Sequence, residues 1–277
     1  MFIDTHCHLN MMVKDSFGTA LQPDEIARAR EIVAEARAAG VGVIVNAGTC
    51  LAESQNSVLL AQEIPAVWAI VAIHPHDCQD GWQEQFNGIK KLVAEKEKNK
   101  IVGIGECGID RHYPEHNLSR QTDAFHAHIE LALENDLPLI VHSRDAYEET
   151  LHVLDEYKND LKRGVLHCFS YDQDFANHVT RMGFVIGLAG NLTYPRNDAL
   201  RDIAQALPID KIILETDAPF MPPQEIRGER NHPQYVLSVA KQLAETKGVP
   251  LKTIERDTTR TTCALFGPAF TAFVESL

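Results

Sequence analysis

The sequence predicts a (β/α)8 TIM barrel, an α/β fold, with residues 1–277 forming a single domain. Eight short apolar runs recur along the chain, and segments with helical spacing separate them. Such strict alternation of strands and helices is the pattern of this barrel. An open doubly wound sheet is the alternative, but no glycine-rich phosphate loop follows the first run.

The predicted strands are short, apolar and rich in β-branched residues, as expected of parallel strands that helices cover on the outside. The first has the sequence FIDTHCH over residues 2–8 and ends in two histidines. The others are residues 41–47, 67–74, 101–107, 137–143, 164–169, 184–190 and 211–217.

The segments between the strands place apolar residues on one face of a helix. Residues 24–39 carry such a face from Ile26 to Ala36, and Gly40 is a suitable residue to end that helix. Asp145 is predicted to cap the N-terminus of the helix after the fifth strand. The remaining predicted helices are residues 82–98, 118–135, 172–182, 197–206, 232–247 and 251–266.

The composition is that of an ordinary soluble globular protein, with 44% hydrophobic and 23% charged residues. The six cysteines form no CxxC pair, which indicates reduced thiols and a cytoplasmic protein. We expect no signal peptide, because the first residues form a strand. No apolar run approaches the ~18 residues of a membrane span, so we expect no membrane partner.

The net charge of −13 argues against a broad basic groove for duplex nucleic acid. A polyanionic substrate that meets the protein only at a metal site remains compatible with this charge, because bound divalent ions can invert the local field. The sequence leaves the oligomeric state open, and a monomer is compatible with it.

The chemistry of a barrel of this kind lies at the C-terminal ends of its strands. Histidines and carboxylates occupy that position on six of the predicted strands. Each has an ordinary alternative role, such as a core histidine, a salt-bridge partner or a turn cap. Their convergence on one rim favours a metal site. These residues are His6, His8, His74, Glu106, His142, His167 and Asp217.

Two divalent ions suit this set better than one, because a catalytic ion takes about three protein ligands. Glu106 is the natural bridge, since the fourth strand lies about opposite the eighth. The first ion is assigned to His6, His8, Glu106 and Asp217. The second is assigned to Glu106, His142 and His167. A bridged pair about 3.5–4 Å apart activates a water and stabilises the attacking and leaving oxygens.

Two further carboxylates share the inward faces of their strands with predicted ligands. Asp4 lies two residues before His6, and Glu215 two before Asp217. Metal-bound imidazoles usually donate their second nitrogen to a carboxylate or carbonyl, which Asp4 and Glu215 could provide. A buried polar layer of the barrel is the alternative interpretation.

For substrate binding, Arg144 is the first candidate, because a guanidinium grips phosphate with two hydrogen bonds. His74 and His76 are weaker candidates. Arg227 and Asn231 follow the eighth strand in a loop. They either lie over the site or only stabilise the loop.

Seven stretches of this chain resemble the TatD-related metal-dependent deoxyribonucleases, within a wider superfamily of metal-dependent hydrolase barrels. They are DTHCHL (4–9), AIHPHD (72–77), GIGECGID (103–110), LPLIVHSRDA (137–146), HCFS (167–170), ETDAP (215–219) and RGERNHP (227–233). The resemblance implies DNA as the substrate, exonuclease or endonuclease action, and Mg²⁺, Mn²⁺ or Zn²⁺ as the ion. It also implies that the metal ligands are His6, His8, Glu106, His142, His167 and Asp217. Tyr171 departs from the glycine usual in the family.

The resulting hypothesis is a two-metal phosphodiesterase that hydrolyses DNA near strand ends or on single strands, as an exonuclease. Glu106 and Asp217 are its predicted catalytic carboxylates, with Asp217 orienting or deprotonating the attacking water. An esterase such as an aminoacyl-tRNA deacylase is the first rival, and a non-catalytic barrel stabilised by metal is the second. The fourth strand contains no lysine, which disfavours barrels bridged by a carbamylated lysine.

Overall fold

The computed structural model describes residues 1–14, 16–115 and 117–277. Eight parallel strands follow one another around the barrel in the order of the sequence, which confirms the predicted fold. The strands are β1 Phe2–Cys7, β2 Val41–Ala47, β3 Val67–Val71, β4 Ile101–Asp110, β5 Leu139–Arg144, β6 Gly164–Leu166, β7 Val185–Leu188 and β8 Ile212–Leu214.

The barrel closes between β1 and the chain that leaves β8. Cys7 forms a parallel bridge with Ala218. The backbone N–H of Asp217 donates to the carbonyl of His6 at 2.9 Å, and that of His8 donates to the carbonyl of Ala218 at 2.7 Å. This seam brings the first strand's histidines beside Asp217, although more than 200 residues separate them in the sequence.

Helices cover the outside of the barrel, and none in the described chain is long and apolar enough to cross a membrane. The helices are α1 Leu9–Val13, α2 Pro23–Ala38, α3 Leu51–Glu63, α4 Trp82–Val93, α5 Leu118–Glu134, α6 Tyr147–Glu156, α7 Gln173–Met182, α8 Asp198–Ala206, α9 Val236–Lys247, α10 Leu251–Phe266 and α11 Pro268–Glu275.

The helix between β2 and β3, α3, is absent from the prediction. Its buried face includes Glu53, Ser54, Asn56 and Ser57. The Ser57 hydroxyl, for example, donates to the carbonyl of Asn46 in β2 at 2.7 Å. A search for an apolar stripe misses a helix that packs through hydrogen bonds of this kind.

Several predicted boundaries are wrong. The strands predicted over 67–74, 164–169 and 211–217 end at residues 71, 166 and 214, whereas β4 continues to residue 110. The predicted helix 82–98 ends at Val93, before a run of charged residues, and a 3-10 turn at Pro233–Tyr235 delays the start of α9.

The prediction that Asp145 caps a helix is also wrong. The residue before α6 is Ala146, and Asp145 has a left-handed backbone with φ of 52°. An N-cap residue normally has extended backbone angles, so Asp145 does not adopt the required conformation. Its carboxylate instead lies 2.9 Å from Nδ1 of His112.

Apolar side chains fill the interior of the barrel below the rim. Residues of alternate strand positions, such as Val45, Ile70 and Ile140, are almost fully buried there. Phe270 of α11 packs into the same cluster and closes the N-terminal end of the barrel. The interior is therefore solid, and only the C-terminal end is available for polar chemistry.

Candidate active site

A cavity of about 700 Å³ opens at the C-terminal end of the barrel. Five of the six predicted metal ligands line it, while His6 lies fully buried beneath it. The three predicted substrate-binding residues, Arg144, His74 and His76, also line this cavity. The structure thus brings together side chains from β1, β4 and β5 and from the loops after β3, β6 and β8.

The first cluster joins β1, β4 and the loop after β8. The Nε2 atoms of His6 and His8 lie 3.3 Å apart. Oε2 of Glu106 lies 3.3 Å from Nε2 of His6 and 3.5 Å from Nε2 of His8. Oδ1 of Asp217 lies 3.3 Å from Nε2 of His8 and 3.9 Å from Nε2 of His6.

These spacings fit one divalent ion. Four ligands bound tetrahedrally at about 2.0–2.1 Å are about 3.3–3.4 Å from one another. Two imidazoles and two carboxylates that converge in a buried place without such an ion would leave their lone pairs poorly used. The donor set is therefore suited to a metal.

The second cluster surrounds the other oxygen of Glu106. Oε1 lies 2.7 Å from Nδ1 of His142, 3.5 Å from Nε2 of His167 and 3.6 Å from Nε2 of His74. The two oxygens of one carboxylate therefore face two different groups of imidazoles. This is the arrangement that a bridging carboxylate requires.

His167 lies between the two clusters. Its ring stacks on that of His6 with centroids 3.7 Å apart, and its Nε2 is 3.6 Å from Oδ1 of Asp217. On its far side, Nδ1 lies 3.1 Å from Oε1 of Glu215. The contact is an ion pair without hydrogen-bond geometry, and Glu215 lies beside the ring where a carboxylate that orients an imidazole is expected.

Asp4 does not take the corresponding role at His6. Its carboxylate accepts hydrogen bonds from the backbone N–H of Thr216 at 2.9 Å and from the Thr216 hydroxyl at 2.6 Å. The closing seam places Thr216 directly in front of Asp4, so the carboxylate fastens β1 to the chain after β8. The expected contact with the His6 ring is replaced by this clasp.

Asp110 is a site residue that the sequence reasoning missed. Its Oδ2 lies 2.9 Å from Nε2 of His142 and 3.1 Å from Nε2 of His76. Burial favours protonation of Asp110, but these two hydrogen bonds hold its pKa well below its usual range. Its position four residues after Glu106 puts both on one face of β4, which is the signal that could have found it.

His74 is held in one tautomer. Its Nδ1 accepts a hydrogen bond from the backbone N–H of His76 at 3.2 Å. Burial and the charge of His142 lower the pKa of His74 to about 3, so the ring is neutral at physiological pH. A neutral ring that accepts at Nδ1 carries its proton on Nε2. His74 therefore presents an N–H donor towards Glu106.

Neighbouring carboxylates strongly shift the pKa values of the other histidine ligand candidates. Burial alone would lower the pKa of His8, but the carboxylates of Asp217 and Glu106 raise it to about 9. In the same way, Asp110 and Glu106 raise the pKa of His142 to about 9.

Burial and neighbouring charges also shift the pKa values of His167, His6 and Glu106. Burial alone would lower the pKa of His167, but the carboxylates of Glu215 and Glu106 raise it to about 10. Burial lowers the pKa of His6, and the charge of His167 lowers it further. Glu106 is buried, yet its pKa lies well below the usual range because the charge of His167 stabilises its ionised form.

Arg144 is exposed at the mouth of the cavity. Its guanidinium lies 5.9 Å from the centre of the Tyr113 ring. Among the described residues, no carboxylate lies within salt-bridge distance of it, and the adjacent Asp145 is paired with His112. The charge of Arg144 is therefore available to a ligand.

Tyr171, the residue that departs from the family, fastens the segment around Arg144. Its hydroxyl lies 2.8 Å from the Ser143 hydroxyl and accepts a hydrogen bond from the backbone N–H of Ala146 at 3.1 Å. Its ring stacks on Phe175 with centroids 4.6 Å apart.

The loop after β8 has a structural anchor. Nδ2 of Asn231 donates to the carbonyls of Thr216 at 2.9 Å and Phe220 at 2.7 Å. Arg227 lies over the ring of Tyr194, 4.0 Å from its centre. Of the two interpretations open for these residues, stabilisation of the loop matches the structure.

Comparisons with known proteins agree with the motifs. A family model described as TatD related DNase matches residues 3–267. An uncharacterized metal-dependent hydrolase of Bacillus subtilis, YabD, is 32% identical and covers 96% of this chain and 99% of its own length. TatD of Citrobacter rodentium, named a 3'-5' ssDNA/RNA exonuclease, is 33% identical and covers 86% of this chain and 91% of its own length.

A solved structure leads to the same family. YjjV of Escherichia coli K12, described as a TatD homolog, matches with a TM-score of 0.86 and 29% identity, covering 96% of this chain and 98% of YjjV. With a family model that spans nearly the whole sequence, the resemblance seen in the motifs is confirmed. The chain belongs to the TatD-related DNase family of metal-dependent hydrolases.

Proposed function

We propose that this protein hydrolyses phosphodiester bonds of single-stranded DNA through two divalent metal ions, working from a strand end, with residues 1–277 as one catalytic domain. The observation that carries the proposal is the orientation of Glu106. Its Oε2 faces His6 and His8, and its Oε1 faces His142 and His167. One carboxylate between two donor groups is the design of a two-metal hydrolase.

The proposed ligands divide as the distances do. When bound, Mg²⁺, Mn²⁺ or Zn²⁺ would activate water and neutralise the charge that develops on the phosphate. The residues that would hold the first ion are His6, His8, Glu106 and Asp217. Those that would hold the second are Glu106, His142 and His167.

His74 is better suited to the substrate than to an ion, although it lies near Glu106 and His142. A ligand nitrogen must be unprotonated, and Nε2 of His74 carries the proton while Nδ1 accepts from the backbone of His76. In this proposal Nε2–H donates to a phosphate oxygen. His76 acts less directly, through Asp110, which in turn orients His142.

Asp217 holds the attacking water in this mechanism. Burial opposes its ionisation, but the hydrogen bond from His8 and the charge of His167 lower its pKa. A carboxylate that is a weak base takes up a proton poorly. Binding to the first ion would also keep Asp217 weakly basic, so in this proposal it orients the water more than it deprotonates it.

Arg144 supplies the grip on the substrate. Its exposed guanidinium can donate two parallel hydrogen bonds to one phosphate group. The name of the Citrobacter relative, a 3'-5' ssDNA/RNA exonuclease, supports nucleic acid as the substrate and strand ends as its position. The same metal centre could attack the carbonyl of an aminoacyl ester, which is the second candidate function. The cation at the cavity mouth favours a phosphodiester.

The test uses purified protein stripped of metal and then reloaded. Its substrates are a 5'-labelled DNA strand, the RNA strand of the same sequence, and a charged tRNA. We expect stepwise shortening of the DNA strand by the reloaded protein and no cleavage by the stripped protein. Release of the amino acid with intact strands would favour the esterase, and a full rate after verified metal removal would contradict both enzymes. Inactivity on every substrate would favour a non-catalytic barrel.

A further inference from the structure

Large apolar side chains are rarely exposed in the described chain, and most of those that are exposed border one cavity. Phe17, Tyr113 and Phe220 are 66%, 49% and 50% exposed, and Leu277 at the C-terminus is 52% exposed. The three aromatic residues line the cavity over the metal centre. Scattered single exposures need no explanation, but a group that borders a polar site indicates a ligand surface.

Phe220 is held in place beside the first cluster. Its ring lies 5.8 Å from that of His8, at an interplanar angle of 70°. Its backbone N–H donates to the carbonyl of Asp217 at 2.8 Å, and its own carbonyl accepts from Asn231. The segment that carries Asp217 therefore also fixes the position of this ring.

Phe17 comes from the segment between α1 and α2, on the same side of the barrel. This segment is tied to the buried carboxylate of Glu53, which accepts from the backbone N–H of Gly18 at 2.8 Å and from Nζ of Lys14 at 2.9 Å. The buried polar face of α3 thereby has a second role, since it supports the chain that presents Phe17 to the cavity.

Tyr113 follows β4 and borders the opposite side of the cavity, near Arg144. Its ring also lies 4.8 Å from that of His76. The aromatic residues therefore flank the metal centre on two sides, with the cation of Arg144 beside one of them.

We propose that Phe17 and Phe220 form a stacking site for the base on one side of the scissile phosphate, and that Tyr113 stacks the base on the other side. This inference rests on the proposed function and assigns the residues that would hold the unpaired bases of its single-stranded substrate. Bases paired in a duplex stack on their neighbours and have no free face, whereas unpaired bases stack readily on aromatic side chains. An aromatic face accepts every base, so these sites select strand structure and not sequence.

The test compares a short DNA strand that has normal bases with the same strand in which the bases flanking the cleaved bond are replaced by abasic sites. The ratio of kcat/KM between the two strands measures the contribution of the bases. It is determined for the metal-loaded wild type and for Phe17→Ala, Phe220→Ala, Phe220→Leu and Phe220→Tyr. Leu277→Ala is the matched control, because it removes a similarly exposed apolar side chain away from the cavity.

We expect the ratio to fall by roughly 5- to 100-fold in Phe17→Ala and Phe220→Ala, as for the loss of one stacked base. Phe220→Tyr keeps the flat ring and should keep the ratio, while Phe220→Leu should lose it. Leu277→Ala should match the wild type. A wild-type ratio in both alanine variants, or equal ratios for the leucine and tyrosine variants, would overturn the inference.

A binding measurement separates this inference from the proposed function. A strand with phosphorothioate linkages and 2-aminopurine at the flanking positions is titrated with metal-loaded protein. Quenching by the wild type that is lost in Phe220→Leu supports stacking even if no strand is cleaved. Cleavage of normal strands without any quenching would contradict stacking and leave the nuclease proposal standing.

Discussion

The two sides of the barrel rim carry similar residue types in different surroundings. On the side of β1 and β8, the side chains of His6 and His8 are 1% and 4% exposed, and their Nε2 atoms lie 3.3 Å apart beside the carboxylates of Glu106 and Asp217. On the side of β3 to β5, the side chain of His142 is 17% exposed and already binds two carboxylates through hydrogen bonds.

This difference indicates a division of labour. The buried cluster resembles a preformed cage, because its donor atoms already have the spacing of metal ligands. The open cluster must give up the hydrogen bond between His142 and Glu106 before an ion can enter. We therefore expect a tightly held ion beside His6 and His8, and a weaker, more exchangeable ion beside Arg144, where the substrate enters.

Removing the shared carboxylate should have the largest effect, because Glu106 serves both sides. Glu106→Ala should lose metal from both positions, whereas His167→Ala should weaken mainly one. Loss of the ions removes several kcal/mol of transition-state stabilisation, so kcat/KM should fall on the order of a thousandfold. Metal content per chain and hydrolysis of a labelled strand measure both effects.

Glu31→Ala, on an exposed position of α2, is the control for this substitution. It should keep wild-type metal content and activity. Equal metal occupancy in Glu106→Ala and the wild type would show that this carboxylate does not join the two sides.

A second experiment tests the open side alone. Arg144→Ala should lower kcat/KM by a factor that corresponds to about 2–4 kcal/mol of transition-state stabilisation, the value of a charge-assisted hydrogen-bond pair. Metal content and melting temperature should stay near wild type. Arg144→Lys should recover only part of the loss, because an ammonium cannot form two parallel bonds to phosphate.

Arg181→Ala provides a matched loss of one exposed arginine, on α7 outside the barrel. It should behave as wild type. A large drop in melting temperature in Arg144→Ala, or an unchanged cleavage rate, would assign Arg144 to the fold and move the phosphate grip to His74, His76 or residues 227–233.

The two sides should also differ in their response to pH. The pKa values of His8, His142 and His167 are raised to about 9, 9 and 10 in the metal-free protein, while that of His6 is lowered. At pH 7 the three raised histidines carry protons, which a metal must displace. The first ion should release about one proton and the second about two, so metal affinity should rise with pH up to about 9.

Calorimetric titration of the stripped protein at pH 7, in buffers with different ionisation enthalpies, measures the protons released. Affinity should increase by about tenfold per pH unit on the buried side and about a hundredfold on the open side. Metal affinities that do not change between pH 6 and 9 would contradict the charge states assigned to these histidines.

The smallest expected effect is that of salt on DNA binding, which depends on the surface beyond both clusters. With a net charge of −13, the protein should contact only a few phosphates. For single strands the slope of log affinity against log salt is about −0.7 per neutralised phosphate, so we expect a slope of about −2. A slope as steep as about −6 would require a wide cationic surface that the described chain does not provide.

The fold and the rim could be predicted because both depend on local patterns. Apolar β-branched runs defined the strands, and the polar residue at each strand end, such as His142 after LPLIV, defined the rim. The helix α3 could not be predicted from an apolar stripe, since polar residues interrupt its inner face. The clasp of Asp4 on Thr216 depends on the register in which the barrel closes, which the sequence does not encode locally.

Residues in loops are the other part of the site that could not be predicted from the sequence. Phe17, Tyr113 and Phe220 lie in irregular segments, where neither the helical nor the strand period applies. Their exposure at the cavity became visible only once the barrel brought distant loops together. Asp110 was missed for a simpler reason, because the predicted end of β4 fell three residues too early, at 107 rather than 110.

Titration of the metal-free protein with Mn²⁺, followed by electron paramagnetic resonance and by cleavage of a labelled strand, tests the two-metal centre most directly. We predict an isolated-ion spectrum up to one equivalent, then the spectrum of two magnetically coupled ions at two equivalents, with activity rising alongside the second. Coupling is expected because Glu106 would bridge ions about 3.5–4 Å apart. Saturation at one equivalent with full activity and no coupled signal would contradict the account.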